Sequence, residues 1–241
     1  MPFKTSLFYT LLILPSFLYA QLSAGDSSSR LDRWPVDSLV QNQLGGNLRL
    51  FTGAEYIRNG QHAQGHPFFQ SDIPLDGSAS YDGANYENIL LQYDLITGEV
   101  ITHDSTVNAN ISLVREKLPR FTISGHVFLW LPAVGDSAIT LDPGYYEMLY
   151  NGPCSLVARH EKKMVYPTTN EEIVKYVEST NYFLRRDGQY FRIEGQHSLL
   201  KVLADKKDPL KKFIRQNKLQ FDKYPGNALI QVIHYYTQLK N

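Results

Sequence analysis

Turn dipeptides that contain glycine recur along most of the chain, and each lies between two runs of apolar or β-branched residues. Such dipeptides supply the positive φ angles that a tight β-hairpin needs, and Asn-Gly and Asp-Gly are the strongest short-range hairpin signals. The pattern therefore predicts consecutive antiparallel hairpins. The six dipeptides are Asn59-Gly60, Asp82-Gly83, Thr97-Gly98, Ser124-Gly125, Asn151-Gly152 and Asp187-Gly188.

Two of these hairpins are especially clear in the sequence. One joins residues 88–94 to residues 99–103, and the other joins residues 182–186 to residues 189–193. The run 126–131 is almost entirely apolar, which predicts a strand in the interior of the sheet. Consecutive hairpins predict an antiparallel meander that forms a curved sheet, a sandwich or a half-barrel.

The pattern changes after residue 195, where apolar residues recur at spacings of three and four. Ser198 is predicted to cap a first short helix. Asp208 and Pro209 are predicted to open a second helix, with aspartate as the cap and proline at the first helical position. Pro225 and Gly226 precede a third apolar stripe. All three helices are too short to be stable alone, so we expect them to pack on each other or on the sheet.

The predicted fold class is α+β: an antiparallel β-meander over residues 48–195, followed by a small C-terminal helical unit over residues 196–241 that packs on it. The composition suits this, since 43% of the residues are hydrophobic and 12% aromatic, which excludes a disordered chain. The single cysteine, Cys154, excludes an intrachain disulfide.

The first twenty residues have the pattern of a signal peptide. Lys4 precedes an apolar stretch over residues 7–18 that is interrupted by Pro15, and a small residue, Ala20, ends the segment. The stretch is too short to span a membrane, and no later segment is apolar enough to do so. We therefore expect cleavage near Ala20-Gln21 and export to the periplasm or the cell exterior. Residues 21–47 are polar and are predicted to form an irregular leader.

Charge is distributed unevenly along the chain. Residues 21–154 carry seven basic and 15 acidic side chains, a net charge of −8, whereas residues 196–241 carry nine basic and three acidic side chains, a net charge of +6. A basic C-terminal unit suits an anionic partner, but a solvated helix face explains the same lysines and is the favoured interpretation. The candidate basic surface consists of Lys206, Lys207, Lys211, Lys212 and Arg215.

A resemblance to a family of uncharacterised secreted bacterial proteins rests on three motifs, which begin Tyr-Asp-Gly-Ala-Asn-Tyr, Gly-Tyr-Tyr-Glu-Met-Leu-Tyr and Asp-Lys-Lys-Asp-Pro-Leu. They cover residues 81–89 followed by 91–94, residues 144–152 and residues 205–214. The resemblance covers most of residues 65–240, and its motifs are turn, strand and cap signatures. It implies export and this fold, and it implies no activity and no catalytic residue.

One candidate metal site lies in a loop. His62 and His66 are four residues apart, and Asp72, Asp76 and Asp82 follow nearby. Glycines and a proline around the histidines argue against the helix that usually presents this spacing to one metal, so a polar surface loop is the favoured interpretation. No Gly-x-Ser-x-Gly, phosphate-binding loop or dinucleotide fingerprint occurs, and no cofactor is predicted.

A second candidate site is a group of tyrosines. Tyr145, Tyr146 and Tyr150 lie on one predicted strand, where exposed rings could stack on a sugar or contact a partner. Packing within the sheet is the competing and favoured interpretation, because aromatic residues are common in strands.

The sequence favours an exported, non-enzymatic protein of the bacterial envelope with a binding or scaffolding role. Its partner would be an envelope component, and nucleic acid is not expected. One alternative is a carrier that encloses an apolar ligand in the curved sheet. A second is a secreted hydrolase that uses the histidine loop or a pair of carboxylates among Asp82, Glu87, Asp94 and Asp104.

Overall fold

The computed structural model describes residues 49–58, 63–133, 141–166 and 173–240. These residues contain eleven strands and three α-helices. The strands are β1 (Ala54–Glu55), β2 (Leu75–Tyr81), β3 (Ala84–Tyr93), β4 (Val100–Asp104), β5 (Ala109–Ser112), β6 (Arg120–Ile123), β7 (His126–Leu131), β8 (Gly144–Tyr150), β9 (Ser155–Val165), β10 (Lys175–Arg186) and β11 (Gln189–Ile193). The helices are α1 (Gln196–Val202), α2 (Lys207–Gln216) and α3 (Pro225–Gln238).

The strands form one open antiparallel sheet, and the helices follow it. The strand order is β1-β5-β4-β3-β2-β6-β7-β8-β9-β10-β11. From β6 onward the order is that of the chain, but β2 to β5 run in reverse, so the chain must cross back from β5 to place β6 beside β2. The predicted α+β class is confirmed, and the apolar run at 126–131 forms β7 in the interior of the sheet.

Three of the predicted hairpin turns have the expected backbone. Both residues of Asp82-Gly83, Ser124-Gly125 and Asp187-Gly188 have positive φ, which is the geometry of a two-residue turn that matches the twist of the strands. The two clearest hairpins are confirmed as the pairs β3–β4 and β10–β11. Asn151-Gly152 instead lies in a longer connection without positive φ, and Asn59-Gly60 lies outside the described residues.

The sheet curls strongly around an aromatic core. The rings of Tyr93 on β3 and Tyr145 on β8 lie 5.8 Å apart although β2, β6 and β7 separate their strands. Two backbone contacts outside the strand pairs accompany this curl: Phe68, which precedes β2, bridges to Asp94, and the Lys162 N–H on β9 donates to the Leu95 carbonyl, after β3, at 3.2 Å. Large buried side chains fill the inner face, among them Tyr81, Leu91, Tyr93, Phe121, Phe128 and Tyr145.

The helices begin slightly earlier than the sequence predicts. α1 begins at Gln196, and Ser198 lies in its first turn, where the hydroxyl accepts a hydrogen bond from the Gly195 N–H at 3.1 Å. α2 begins at Lys207, so Asp208 is its second residue rather than its cap. The helices bury their apolar sides against β9, β10 and β11 through a cluster that includes Leu156, Leu184, Ile193, Leu210, Leu229 and Ile233.

Gly77 on β2 gives the first testable prediction. A Cβ at this position would lie 2.3 Å from the Thr122 carbonyl oxygen and 3.0 Å from a Leu91 methyl carbon. Both neighbours belong to the core of the sheet, so Gly77→Ala should force two strands apart and lower the free energy of unfolding by about 2–3 kcal/mol. Urea unfolding followed by circular dichroism measures this change.

Gly195 provides the matched control. Its backbone is extended, with φ 165°, and a Cβ there would meet nothing within 4 Å. Gly195→Ala should therefore change the unfolding free energy by less than about 1 kcal/mol. Equal effects of the two substitutions would mean that the close approach at Gly77 is not what restricts that position.

Candidate functional site

A cavity of about 650 Å³ opens where β8 and β9 separate. The two strands pair from Tyr150↔Leu156 to Glu147↔Ala158, and beyond this point β8 follows β7 while β9 continues beside β10. The turn between β3 and β4 lies across the opening, since Leu95 accepts the Lys162 N–H. We refer to this space as the β8–β9 cavity. Its volume is in the range that binds small ligands.

Aromatic rings form one wall of the β8–β9 cavity. Trp130 and Tyr145 meet edge to face with their centroids 5.1 Å apart, and Tyr93 packs on the other side of Tyr145. The Tyr145 hydroxyl donates to the Leu118 carbonyl at 2.8 Å. Burial raises the pKa of Tyr145 and of Tyr93, so both phenols stay neutral at physiological pH. This wall is therefore uncharged and largely apolar.

Basic side chains form the other walls. The Arg115 guanidinium lies over the Trp130 ring, 5.2 Å from its centroid, and is exposed to solvent, as is Lys163. Arg159 pairs with Glu161 at 3.0 Å, and Lys162 donates to the Phe68 carbonyl at 2.6 Å. Arg159 and Lys162 are thus held by an ion pair or a hydrogen bond, whereas the described residues give Arg115 and Lys163 neither, so the charges of these two can meet a ligand.

The lining of the cavity is basic, although the chain up to residue 154 is acidic overall. Four cations and one carboxylate, Glu161, are found among its described lining residues, whereas residues 21–154 carry a net charge of −8. A cation at the edge of an aromatic wall suits a ligand that has both a negative group and a flat ring. The arrangement can therefore hold a small organic anion.

Behind the cavity, a buried carboxylate lies between two histidines on adjacent strands. Glu147 on β8 accepts hydrogen bonds from His126 Nδ1 on β7 at 2.5 Å and from His160 Nε2 on β9 at 2.7 Å. The Glu147 side chain is only 8% exposed. Burial acts to raise the pKa of this carboxyl, but the hydrogen bonds from His160 and His126 outweigh it and hold the pKa below its usual value.

The remaining ring nitrogens of this cluster also have protein partners. His160 Nδ1 lies 3.1 Å from the Thr180 hydroxyl, and His126 Nε2 lies 2.8 Å from the Gln70 side-chain amide. The Phe69 ring meets both imidazoles at 5.2 Å. All four ring nitrogens are therefore engaged, so the cluster joins three strands and offers no unengaged nitrogen to a ligand in the cavity.

The sequence patterns did not predict this cluster, because its three residues are far apart along the chain. His126 and His160 lie 21 and 13 residues from Glu147, so no local spacing connects them. Only the register of β7, β8 and β9 brings them together. One available signal was a charged residue at 147 within a strand that is otherwise rich in aromatic and apolar side chains.

The structure separates the three candidate tyrosines. Tyr145 lies on the inner face and lines the β8–β9 cavity. Tyr146 is buried on the opposite face, where its hydroxyl donates to the Asp142 carbonyl at 2.8 Å. Tyr150 reaches the helices, with its hydroxyl 3.1 Å from that of Thr237. Successive residues of a strand alternate between faces, so Tyr145 and Tyr146 cannot share one binding surface.

The candidate histidine loop is described only in part. His62 lies outside the described residues. His66 is half-buried beside Phe68, and burial together with the nearby Lys162 lowers its pKa. Within the described ranges, no group of three or more histidine, cysteine, aspartate or glutamate side chains is arranged to hold a metal ion.

The candidate basic residues lie on and beside α2. Lys207, Lys211, Lys212 and Arg215 are exposed on this helix, and Lys206 precedes it. Leu210 and Ile214 face the core from the same helix. Among the helices of the described residues, none is long and apolar enough to cross a membrane.

In comparisons with known proteins, no family model matches the chain, and neither a curated protein nor a solved structure matches it. The resemblance to uncharacterised secreted bacterial proteins therefore stays a prediction. Any proposal about function depends on the geometry of the chain itself.

Proposed function

We propose that the protein is an exported binding protein of the bacterial envelope that holds a small organic anion in the β8–β9 cavity. The observation that carries this proposal is the pairing of Arg115 with Trp130 at the rim of a space of about 650 Å³. A flat ring of the ligand would stack on Trp130, beside or in place of the Arg115 guanidinium. The negative group of the ligand would then pair with the charges of Arg115 and Lys163.

The histidine cluster supports a binding role over the hydrolase alternative. A general base needs a nitrogen within hydrogen-bond distance of the proton that it removes. His160 lines the cavity, but its nitrogens are bonded to Glu147 and to the Thr180 hydroxyl, and Thr180 is not among the described residues that line the cavity, so this hydroxyl is not presented to a ligand there. Glu147, behind this wall, is held between two histidines, and Glu161, the carboxylate of the lining, pairs with Arg159 at 3.0 Å, so both carboxylates are already engaged.

The aromatic core weakens the support for the carrier alternative. A carrier of an apolar ligand needs open space on the inner face of the sheet. Phe121 and Phe128 stack there at 4.9 Å and are at most 1% exposed. An apolar ligand would have to displace these rings, whereas the β8–β9 cavity is already open to solvent.

Trp130 allows a direct test of the proposed site. The chain has two tryptophans, Trp34 and Trp130, so Trp34→Phe leaves Trp130 as the only indole. In this background, 8-anilinonaphthalene-1-sulfonate, an organic anion with flat rings, should accept energy from Trp130 in a saturable titration. Removal of both exposed cations by Arg115→Ala with Lys163→Ala should weaken binding about tenfold or more.

Arg120→Ala with Arg185→Ala is the matched control, because these exposed cations lie outside the cavity lining. This control removes the same charge and should leave the affinity within about twofold. An equal loss of affinity in the two double variants would mean that binding depends on the net charge of the protein and not on this site. Absence of saturable energy transfer from Trp130 would contradict the proposed site.

A further inference from the structure

The exposed side of the helical unit carries an unfavourable arrangement of like charges. Lys207, Lys211 and Arg215 follow one another at intervals of four residues on α2. Residues at this spacing lie on the same side of a helix and repel each other when their charges are alike. Asp208 is the only carboxylate in the helix. An anionic partner would relieve this repulsion, so the surface is suited to one.

A groove between α1 and α2 concentrates the same charge. It has a volume of about 570 Å³ and is lined by Lys201, Lys207 and Lys211, with His197 at one side. No carboxylate is found among the described residues that line it. The groove is large enough for a phosphate-bearing headgroup, and its three ammonium groups belong to two different helices.

The nearest acidic side chain between the two helices is already engaged. Asp205 pairs with Arg186 at 3.0 Å and accepts a hydrogen bond from the Tyr236 hydroxyl at 3.1 Å. These contacts hold the pKa of Asp205 below its usual value against the effect of burial. Asp205 therefore neutralises Arg186 rather than the lysines of the groove.

We propose that this surface docks on an anionic phospholipid surface, with a headgroup phosphate in the groove. We call it the α1–α2 basic face; it consists of Lys201, Lys206, Lys207, Lys211, Lys212 and Arg215. Clusters of four to eight basic residues on an amphipathic helix are typical of such docking. The net charge of −8 over residues 21–154 would orient the molecule with its helical end toward the lipid.

Two features favour lipid over nucleic acid. The face has five lysines and one arginine, whereas arginine, with its planar bidentate guanidinium, is the residue of choice for nucleic-acid recognition. Tyr224, between α2 and α3, is 57% exposed and has the Lys223 ammonium 5.2 Å from its ring centroid. A tyrosine beside a lysine is the pairing found at the level of lipid headgroups.

The test uses the full chain and sedimentation with vesicles. Vesicles that contain phosphatidylglycerol should bind the protein, and vesicles of phosphatidylcholine alone should not. Lys201→Gln with Lys207→Gln and Lys211→Gln should weaken binding on the order of 100-fold at low salt, since each basic residue near an anionic surface contributes about a fivefold factor. Added salt should weaken wild-type binding.

The control variant is Arg120→Gln with Lys175→Gln and Arg185→Gln, which removes three exposed cations from the sheet. It should bind the same vesicles within about threefold of the wild type. Equal losses in the two triple variants, or equal binding to phosphatidylcholine, would overturn the docking surface. Tighter binding to a single-stranded oligonucleotide than to the vesicles, at the same salt, would overturn the choice of lipid.

The docking proposal for the α1–α2 basic face does not depend on the proposed β8–β9 cavity. The experiments therefore distinguish a failure of lipid docking from a failure of anion binding. The lysine variant should retain the energy transfer from Trp130 to 8-anilinonaphthalene-1-sulfonate, and the Arg115 and Lys163 variant should retain vesicle binding. Circular dichroism of each variant should match the wild type, because every substituted side chain of the lysine variant is exposed.

Discussion

Replacing Glu147 by glutamine is expected to lower the free energy of unfolding by about 3 kcal/mol at pH 7. The carboxylate is buried and accepts hydrogen bonds from His126 and His160, which come from the two neighbouring strands. Glutamine has almost the same shape but offers one acceptor and one donor, so one imidazole N–H loses its partner. Urea unfolding followed by circular dichroism measures the loss.

The effect of Glu147→Gln should depend on pH in one direction. The folded protein holds the pKa of Glu147 below its usual value of 4.5, so the folded state favours the charged form. The stabilisation is therefore complete above the unfolded pKa and is lost as pH falls through the folded pKa. The part of the difference between wild type and variant that depends on the ionisation of Glu147 should be complete above about pH 5 and should shrink below about pH 4.5.

Glu178→Gln on β10 is the matched control. Glu178 pairs with Lys162 at 3.4 Å, but its side chain is 42% exposed. Solvent screens the exposed carboxylate of Glu178, and its partner Lys162, although only 9% exposed, keeps its hydrogen bond to the Phe68 carbonyl, so the control should lose less than about 1 kcal/mol. If Glu147→Gln were no more destabilising than Glu178→Gln, the cluster would not hold the three strands together.

Phe128→Ala is expected to have the largest effect of any core substitution considered, a loss of about 4 kcal/mol. The ring is fully buried and meets Phe69, Tyr93, Phe121 and His160. Its removal leaves a cavity whose walls come from several strands and cannot all relax inward. The substitution should also weaken the packing behind His160. In urea the unfolding midpoint should fall, but the slope of the free energy against urea concentration should change little, because the surface exposed on unfolding stays nearly the same.

Phe213→Ala provides a comparison within the helical unit. Phe213 is half-buried and stacks on Tyr235 with the ring centroids 4.2 Å apart. Its partial exposure predicts a smaller loss, about 1–2 kcal/mol. Similar losses for the two phenylalanines would mean that the rings around Phe128 do not form the main core of the sheet.

The hairpins were predictable from the sequence because their determinants are local. Asp82-Gly83 and Asp187-Gly188 need only their own backbone preferences to turn the chain. The position of β6 was not predictable in the same way. It lies beside β2 rather than β5, and that choice depends on contacts between distant residues, such as those between Phe121 and Tyr93.

The site residues show the same difference between local and distant determinants. The sequence identified Tyr145 but grouped it with Tyr146, because residue type alone ignores the alternation of a strand. No local pattern distinguishes Arg115 or Trp130, which meet only because the chain curls and crosses back after β5. The basic residues of α2 were predictable, since a helix presents its periodic charges on one side, but the groove with Lys201 requires the packing of two helices.

Native mass spectrometry of the protein isolated gently from its own cells tests the binding role most directly. The wild-type protein should carry a discrete additional mass of a small anion that fits the cavity of about 650 Å³. Arg115→Ala with Lys163→Ala should lose this mass, and Arg120→Ala with Arg185→Ala should keep it. A wild-type protein that carries no additional mass and shows no saturable energy transfer from Trp130 would contradict the account.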